Sequence, residues 1–174
     1  MTDNPKPAKP LSRRLFRWTL ELVALAALLT IAHLWQTRDV IKGVAPELTG
    51  QRLNGELFEL ARQRDAPILI HFWATWCPVC GLEADNINGL VGDYPLITIA
   101  MNSGSHAEIH KYLREQDLTF PVISDPDGVL SAVWGVRAVP TTFILDKDGN
   151  IRFVTVGYTS SLGLRARLWL ADDS

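Results

Sequence analysis

The sequence predicts a layered α/β domain, and three observations carry that prediction. Short apolar runs rich in β-branched and aromatic residues alternate with stretches of helical periodicity from residue 67 onward. Glycine, proline and Asp-Gly turns punctuate the junctions. The 138 residues that follow residue 36 are a normal length for one hydrophobic core.

In chain order, the first ten residues, with their prolines and lysines, read as a disordered tail. Residues 16 to 36 are largely apolar, with residues 22 to 34 broken only by Thr30 and His33, and about 20 helical residues at 1.5 Å each cross a bilayer core. Lys6, Lys9, Arg13, Arg14 and Arg17 precede this run, whereas only Arg38 and Lys42 follow it closely. The positive-inside rule therefore assigns residues 1–15 to a cytoplasmic tail, 16–36 to a single-pass anchor and 37–174 to an external domain. Glu21 lies one turn from Arg17 at the cytoplasmic edge, where both reach water. Leu34-Trp35-Gln36 offers no small-x-small cleavage site, which favours an uncleaved anchor over a signal peptide. Ser12-Arg13-Arg14-Leu15-Phe16 partly matches a twin-arginine export signal, but an ordinary positive flank also contains adjacent arginines.

Residues 47 to 60 flank Asn54-Gly55 and read as a hairpin. A buried strand is expected at 67–74, a helix at 78–92, a strand near 95–101 and a helix near 105–116 with Ile109, Tyr112 and Leu113 on one face. A short strand near 121–124 leads through Asp125-Pro126-Asp127-Gly128 into a short helix ending near Trp134. Strands near 141–145 and 151–157 flank an Asp-Gly turn, and a helix at about 160–171 follows.

The chemistry concentrates in Phe72-Trp73-Ala74-Thr75-Trp76-Cys77-Pro78-Val79-Cys80, which holds both cysteines of the chain. Pro78 suits the first position of a helix, where its missing N–H costs nothing. Cys77 then falls at the helix N-terminus, where free amides and the macrodipole favour a thiolate, so it is the expected attacking sulfur. Cys80, one turn further in, is the expected resolving sulfur. A structural disulfide would close too small a ring to stabilise the fold much. A zinc site needs about four ligands and finds no second cysteine pair. A copper or zinc site completed by histidine stays open, and His106 and His110, four apart, have chelating spacing without a third ligand.

Together, the Cys77 run, the segment Gly135-Val136-Arg137-Ala138-Val139-Pro140-Thr141-Thr142-Phe143-Ile144-Leu145-Asp146 and the turn Asp146-Lys147-Asp148-Gly149-Asn150 resemble the thioredoxin fold. More closely, residues 44 to 170 resemble its membrane-anchored TlpA/DsbE-like branch, which includes the suppressor-of-copper-sensitivity (ScsD-like) members. The resemblance implies a mixed central sheet flanked by helices, with the final hairpin antiparallel. It implies that Pro140 is a cis-proline facing the cysteines, beside which a substrate peptide pairs with the backbone. It also implies a bacterial inner-membrane protein with its domain in the periplasm, protein disulfides or dithiols as substrates, a membrane electron-transfer partner and no cofactor.

Trp76, Pro78 and Val79, beside the cysteines in the chain, and Val139 and Pro140, which the resemblance places facing them, are the expected substrate-binding residues, with Trp76 covering one side. Glu83 is three residues after Cys80 and so shares its helix face; a partly desolvated carboxylate there accepts the proton that Cys80 must lose, while a surface glutamate would do nothing of the kind. His71 stands in the strand where thioredoxin has a buried acid, either as a proton relay or as a satisfied core histidine. Pro78-Val79 supplies no histidine to stabilise the thiolate, which tilts the expectation toward a reductant. Thr141 follows the proline where the cytochrome c maturation reductases of this branch carry Glu, which weakens a dedicated haem role. A copper-binding chaperone on the same fold is the alternative, and the two-residue gap between the cysteines counts against it. Residues 37–174 carry 12 basic and 17 acidic side chains, a balance that argues against nucleic acid as a partner.

Overall fold

The computed structural model describes residues 18–25, 27–28, 43–63 and 65–172. Residues 18–25 and 27–28 are helical, and the remainder of the expected 16–36 span, together with the 1–15 tail, lies outside the described residues. Among the described residues no helix is long and apolar enough to cross a membrane.

From residue 43 the chain forms β1 (Gly43–Val44), β2 (Thr49–Gln51), β3 (Leu57–Glu59), a 3-10 turn (Leu60–Arg62), β4 (Ile68–Trp73), α1 (Pro78–Asn88) and β5 (Leu96–Met101). It continues through α2 (His106–Glu115), β6 (Val122–Asp125), α3 (Val129–Val133), β7 (Thr141–Leu145), β8 (Asn150–Val156) and α4 (Ser161–Asp172). Six strands make one sheet in the order β1-β8-β7-β4-β5-β6, while β2 and β3 pair as the expected hairpin, Thr49 opposite Glu59. β4 runs parallel to β5 and antiparallel to β7, and β7–β8 is antiparallel, so the sheet is mixed as the resemblance implied.

β4 is central, which is why its sequence Ile-Leu-Ile-His-Phe-Trp is buried throughout rather than alternating. Leu69 and Trp73 face the layer holding α1, α2 and α4, with Ile87, Ile109, Leu113, Leu164 and Leu168. Ile68, Ile70 and Phe72 face the opposite layer with Trp134 and Phe143. There Phe72 and Trp134 meet the Phe143 ring edge-on, at 5.7 Å and 5.0 Å between centroids, a geometry that aromatic quadrupoles favour.

Two elements differ from the sequence expectation. α1 ends at Asn88 rather than near 92, because Gly89 caps it by donating to Asp85 O and Gly92 then takes a positive φ of 88°. β1 is additional: Gly43 sits opposite Ile151, so the chain joins the sheet at the end remote from β7's start. Two residues of strand have no periodicity to detect.

α2 shows how local sequence sets an element. Ser105 Oγ accepts from Glu108 N–H at 3.4 Å, and the Glu108 carboxylate accepts from Ser105 N–H at 2.7 Å, a capping box. Gly104 precedes it with φ +82°, and a Cβ there would sit 2.5 Å from Glu108 Oε2, so only glycine leaves room for the returning carboxylate. Ser105→Ala should lower stability by about 1 kcal/mol, read as a shifted urea midpoint at unchanged slope.

Candidate active site

β4 delivers the cysteines. Its apolar run ends at Trp73, the chain turns through Thr75-Trp76, and Cys77 becomes the N-cap of α1 with extended backbone and Pro78 following. Cys77 Sγ accepts the Cys80 backbone N–H at 3.2 Å, so the sulfur occupies the position that a capping oxygen takes in other helices. That amide favours negative charge on the sulfur in the thiolate. Cys77 also donates to Val139 O at 3.5 Å, and the Val139–Pro140 peptide bond is cis. Pro140 thus stands immediately before β7, next to the carbonyl that Cys77 meets, with Thr141 Oγ1 donating to Ala138 O at 2.7 Å to hold the bend. Trp76 is 59 % exposed, and its indole N–H donates to Asn102 O, which fixes the ring as a wall on one side.

Cys80 is buried. Burial pushes its thiol pKa up, and the hydrogen bond and charge of Cys77 and the charge of Glu83 push it further. As a nucleophile it requires a base. Glu83, three residues on, is 0 % exposed, not the surface glutamate that the sequence left open. Its Oε1 accepts Thr159 N–H at 3.0 Å, whereas its Oε2 is buried without a partner. Burial raises the pKa to about 7, against the lowering by the Thr159 amide. A carboxyl group so poised exchanges a proton near neutrality.

His71 shares the buried face of β4 with Leu69 and Trp73, yet its bond is Nδ1 to Thr142 Oγ1 at 2.9 Å, not to either cysteine or Glu83. Burial lowers its pKa to about 3, so it stays neutral where a relay would have to charge. This geometry offers a satisfied core histidine rather than the relay. His106 is exposed and His110 half-buried, and among the described residues no group of three or more His, Cys, Asp or Glu side chains could hold a metal.

Two neighbours escaped the sequence reading. Thr159, which anchors Glu83, is 76 residues away in the chain, and no local pattern announces it. Tyr112 packs against Trp73 with ring centroids 5.4 Å apart, and its pKa is raised by burial and then by the charges of Cys80 and Cys77; helical periodicity gave only its face.

A family model described as AhpC/TSA matches residues 41–154. The chain belongs to the AhpC/TSA family. A thioredoxin-like protein of Haemophilus influenzae is 34 % identical over 78 % of this chain and 81 % of its own length. The thiol-disulfide oxidoreductase ResA of Geobacillus thermodenitrificans is 31 % identical over 92 % of this chain and 97 % of its own. Among solved structures, the exposed lipoprotein thioredoxin Etrx1 from Streptococcus pneumoniae superposes with a TM-score of 0.64 at 23 % identity, covering 72 % of this chain and 99 % of that one, which establishes the thioredoxin-like fold. This AhpC/TSA-family chain is a thioredoxin-like thiol-disulfide oxidoreductase, consistent with the TlpA/DsbE-like branch.

Proposed function

We propose that this enzyme is a membrane-anchored reductant of protein disulfides, held by residues 16–36 in a bacterial inner membrane with residues 37–174 in the periplasm. The placement of Cys77 carries the catalytic part: a helix-capping sulfur, bonded to the Cys80 amide and lying against the carbonyl before a cis-proline. The apolar run and its positive flank support the anchor.

In the reaction, the Cys77 thiolate attacks one sulfur of a partner's disulfide. A Cys77–partner S–S bond forms, the partner's S–S bond breaks, and the released thiolate takes a proton from solvent. Cys80 then gives its proton to the Glu83 carboxylate and attacks Cys77 Sγ, forming the Cys77–Cys80 disulfide and releasing the partner's second thiolate. Two electrons have passed to the partner, and a membrane protein bearing a dithiol returns them. Trp76, Pro78, Val79, Val139 and Pro140 border the path of the incoming chain. His71 serves to pack the strand beneath.

Direction follows from what stabilises the thiolate. The Pro78-Val79 pair offers only aliphatic surface and no histidine, so it adds nothing to the helix terminus in stabilising the thiolate. Thr141 spends its hydroxyl on Ala138 O, so no carboxylate meets the substrate beside Pro140, which favours a broad set of partners over a dedicated haem-attachment role. The Cys77/Cys80 couple should have a potential nearer to about −270 mV than to about −120 mV, measured by equilibration with glutathione. A value above about −150 mV would make the enzyme an oxidant and overturn the direction.

A further inference from the structure

β6 is an edge of the six-stranded sheet, and a bare strand edge invites pairing with other chains. The tip of the β2–β3 hairpin covers it: Leu53 N–H donates to Val122 O at 2.9 Å, and Arg52 forms an antiparallel bridge with Ile123. A turn fills less space than a full strand would. Between the hairpin, the C-terminal half of α2 and residues 118–122 lies a cleft of about 290 Å³, at the small end of the range of about 300 to 1,000 Å³ for organic ligands. Leu113, Leu118 and Phe120, all buried, make its floor apolar. Arg52, His110 and Arg114 also line it, and no aspartate or glutamate does.

The fold itself leaves these basic groups under-used. Arg52 lies over the Phe58 ring at 5.3 Å and donates through Nη1 to Glu56 Oε2 at 3.2 Å, yet its buried Nε has no acceptor among the described residues. A buried donor left unpaired is costly. Arg114, in the last turn of α2, suits the negative end of the helix dipole, but among the described residues its guanidinium meets no carboxylate. The half-buried imidazole of His110, one turn earlier, likewise has no hydrogen-bond partner among them. A guanidinium short of acceptors gains most from a carboxylate, which takes two of its N–H groups at once.

We propose that this cleft binds a small organic monocarboxylate, with the carboxylate taken by the guanidinium groups of Arg52 and Arg114 and one ring or a short chain lying on Leu113 and Phe120. The volume limits the occupant to about one ring. An inorganic anion would leave the apolar floor wet and a neutral ring would leave the arginines unpaired, so each binds less well than a molecule that does both. The cleft shares no residue with the cysteine site, and Phe120 stands between them, meeting the Trp73 ring edge-on at 5.6 Å. Its occupant therefore binds whether or not the sulfurs can react.

The test uses the full chain in lipid nanodiscs, labelled with ¹³C-histidine and titrated with benzoate, benzamide or inorganic phosphate, with empty nanodiscs as the reference for partitioning. The ring resonance of His110 should shift and saturate with benzoate, while that of exposed His106, one turn earlier and outside the cleft, stays in place. Benzamide and phosphate should each need a concentration at least about tenfold higher for the same shift, the scale of one charge-assisted contact. Arg114→Gln, in an exposed helix turn, should weaken benzoate about tenfold, and Arg114→Lys should recover part of that loss. Arg52→Gln should weaken it too; because Arg52 also ties the hairpin to the sheet edge, the two Arg114 variants decide. Cys77→Ser should bind benzoate as the wild type does. Equal shifts at His106 and His110, equal binding of benzamide or phosphate, or an unchanged midpoint in Arg114→Gln would each overturn the proposal. So would loss of binding in Cys77→Ser, which would place benzoate at the cysteines. None of these readouts depends on disulfide exchange, so failure of the oxidoreductase reading would leave the cleft standing.

Discussion

Cys77→Ser should leave reduction of insulin by the full chain at the uncatalysed background, because the hydroxyl that replaces the thiol is not a nucleophile toward sulfur near pH 7. Cys80→Ser should fail differently. Its first attack should proceed, since Cys77 keeps its helix-capping position and the amide of residue 80 remains to bond it. Turnover should then stop with a mixed disulfide that survives denaturing, non-reducing electrophoresis and disappears with dithiothreitol. If Cys80→Ser abolishes the first attack while Cys77→Ser accumulates the adduct, the two sulfurs exchange roles.

Glu83→Gln should separate proton transfer from nucleophilic attack. Resolution of the mixed disulfide by Cys80 should slow and the adduct accumulate, while the first attack by Cys77 is unchanged. The same substitution should reshape stability against pH. Below about pH 4.5 Glu83 is protonated in both folded and unfolded chains and contributes no pH dependence. Between there and about pH 7 the unfolded chain ionises while the folded one holds its proton, so stability falls as pH rises and the full cost is present above pH 7. The gap corresponds to about 3 kcal/mol. Glu83→Gln should therefore be more stable than wild type at pH 8, by up to that amount, and indistinguishable near pH 4. His71 acts on the other limb: its folded pKa of about 3 lies below the ordinary 6.5, so stability is lost as pH falls through that interval. That limb should be the same in both proteins. Urea titrations across the range decide it, and an unchanged alkaline limb in Glu83→Gln would place the charge elsewhere. His71→Asn provides the kinetic control; equal adduct accumulation with Glu83 intact would return the relay to His71.

Much of this site was legible because the deciding relations are local. Cys77, Pro78 and Cys80 lie within one turn, and the proline and the spacing suffice to place the sulfur at a helix start. Glu83 could be set on Cys80's side of the helix by counting, but not buried by counting. Its burial depends on Thr159 arriving from the β8–α4 loop, a contact 76 residues long in sequence. The same holds for His71, whose two readings were separable only once Thr142 of β7 stood beside it. The cis bond before Pro140 came from family resemblance, because a Val-Pro pair by itself favours trans. Strand boundaries followed from apolar runs to within a residue or two, whereas β1 has meaning only through its pairing with β8.

That pairing also sets how far the cysteine pair stands from the strand at which the sheet takes up the chain. Ile151, opposite Gly43, and Val156, opposite Thr141, lie towards the two ends of β8, and five residues of strand put about 17 Å between them. Cys77, which follows the Trp73 end of β4, lies at the opposite end of the sheet from Gly43, so a substitution that loosens the β1–β8 pairing leaves the cysteine pair and its neighbours in place.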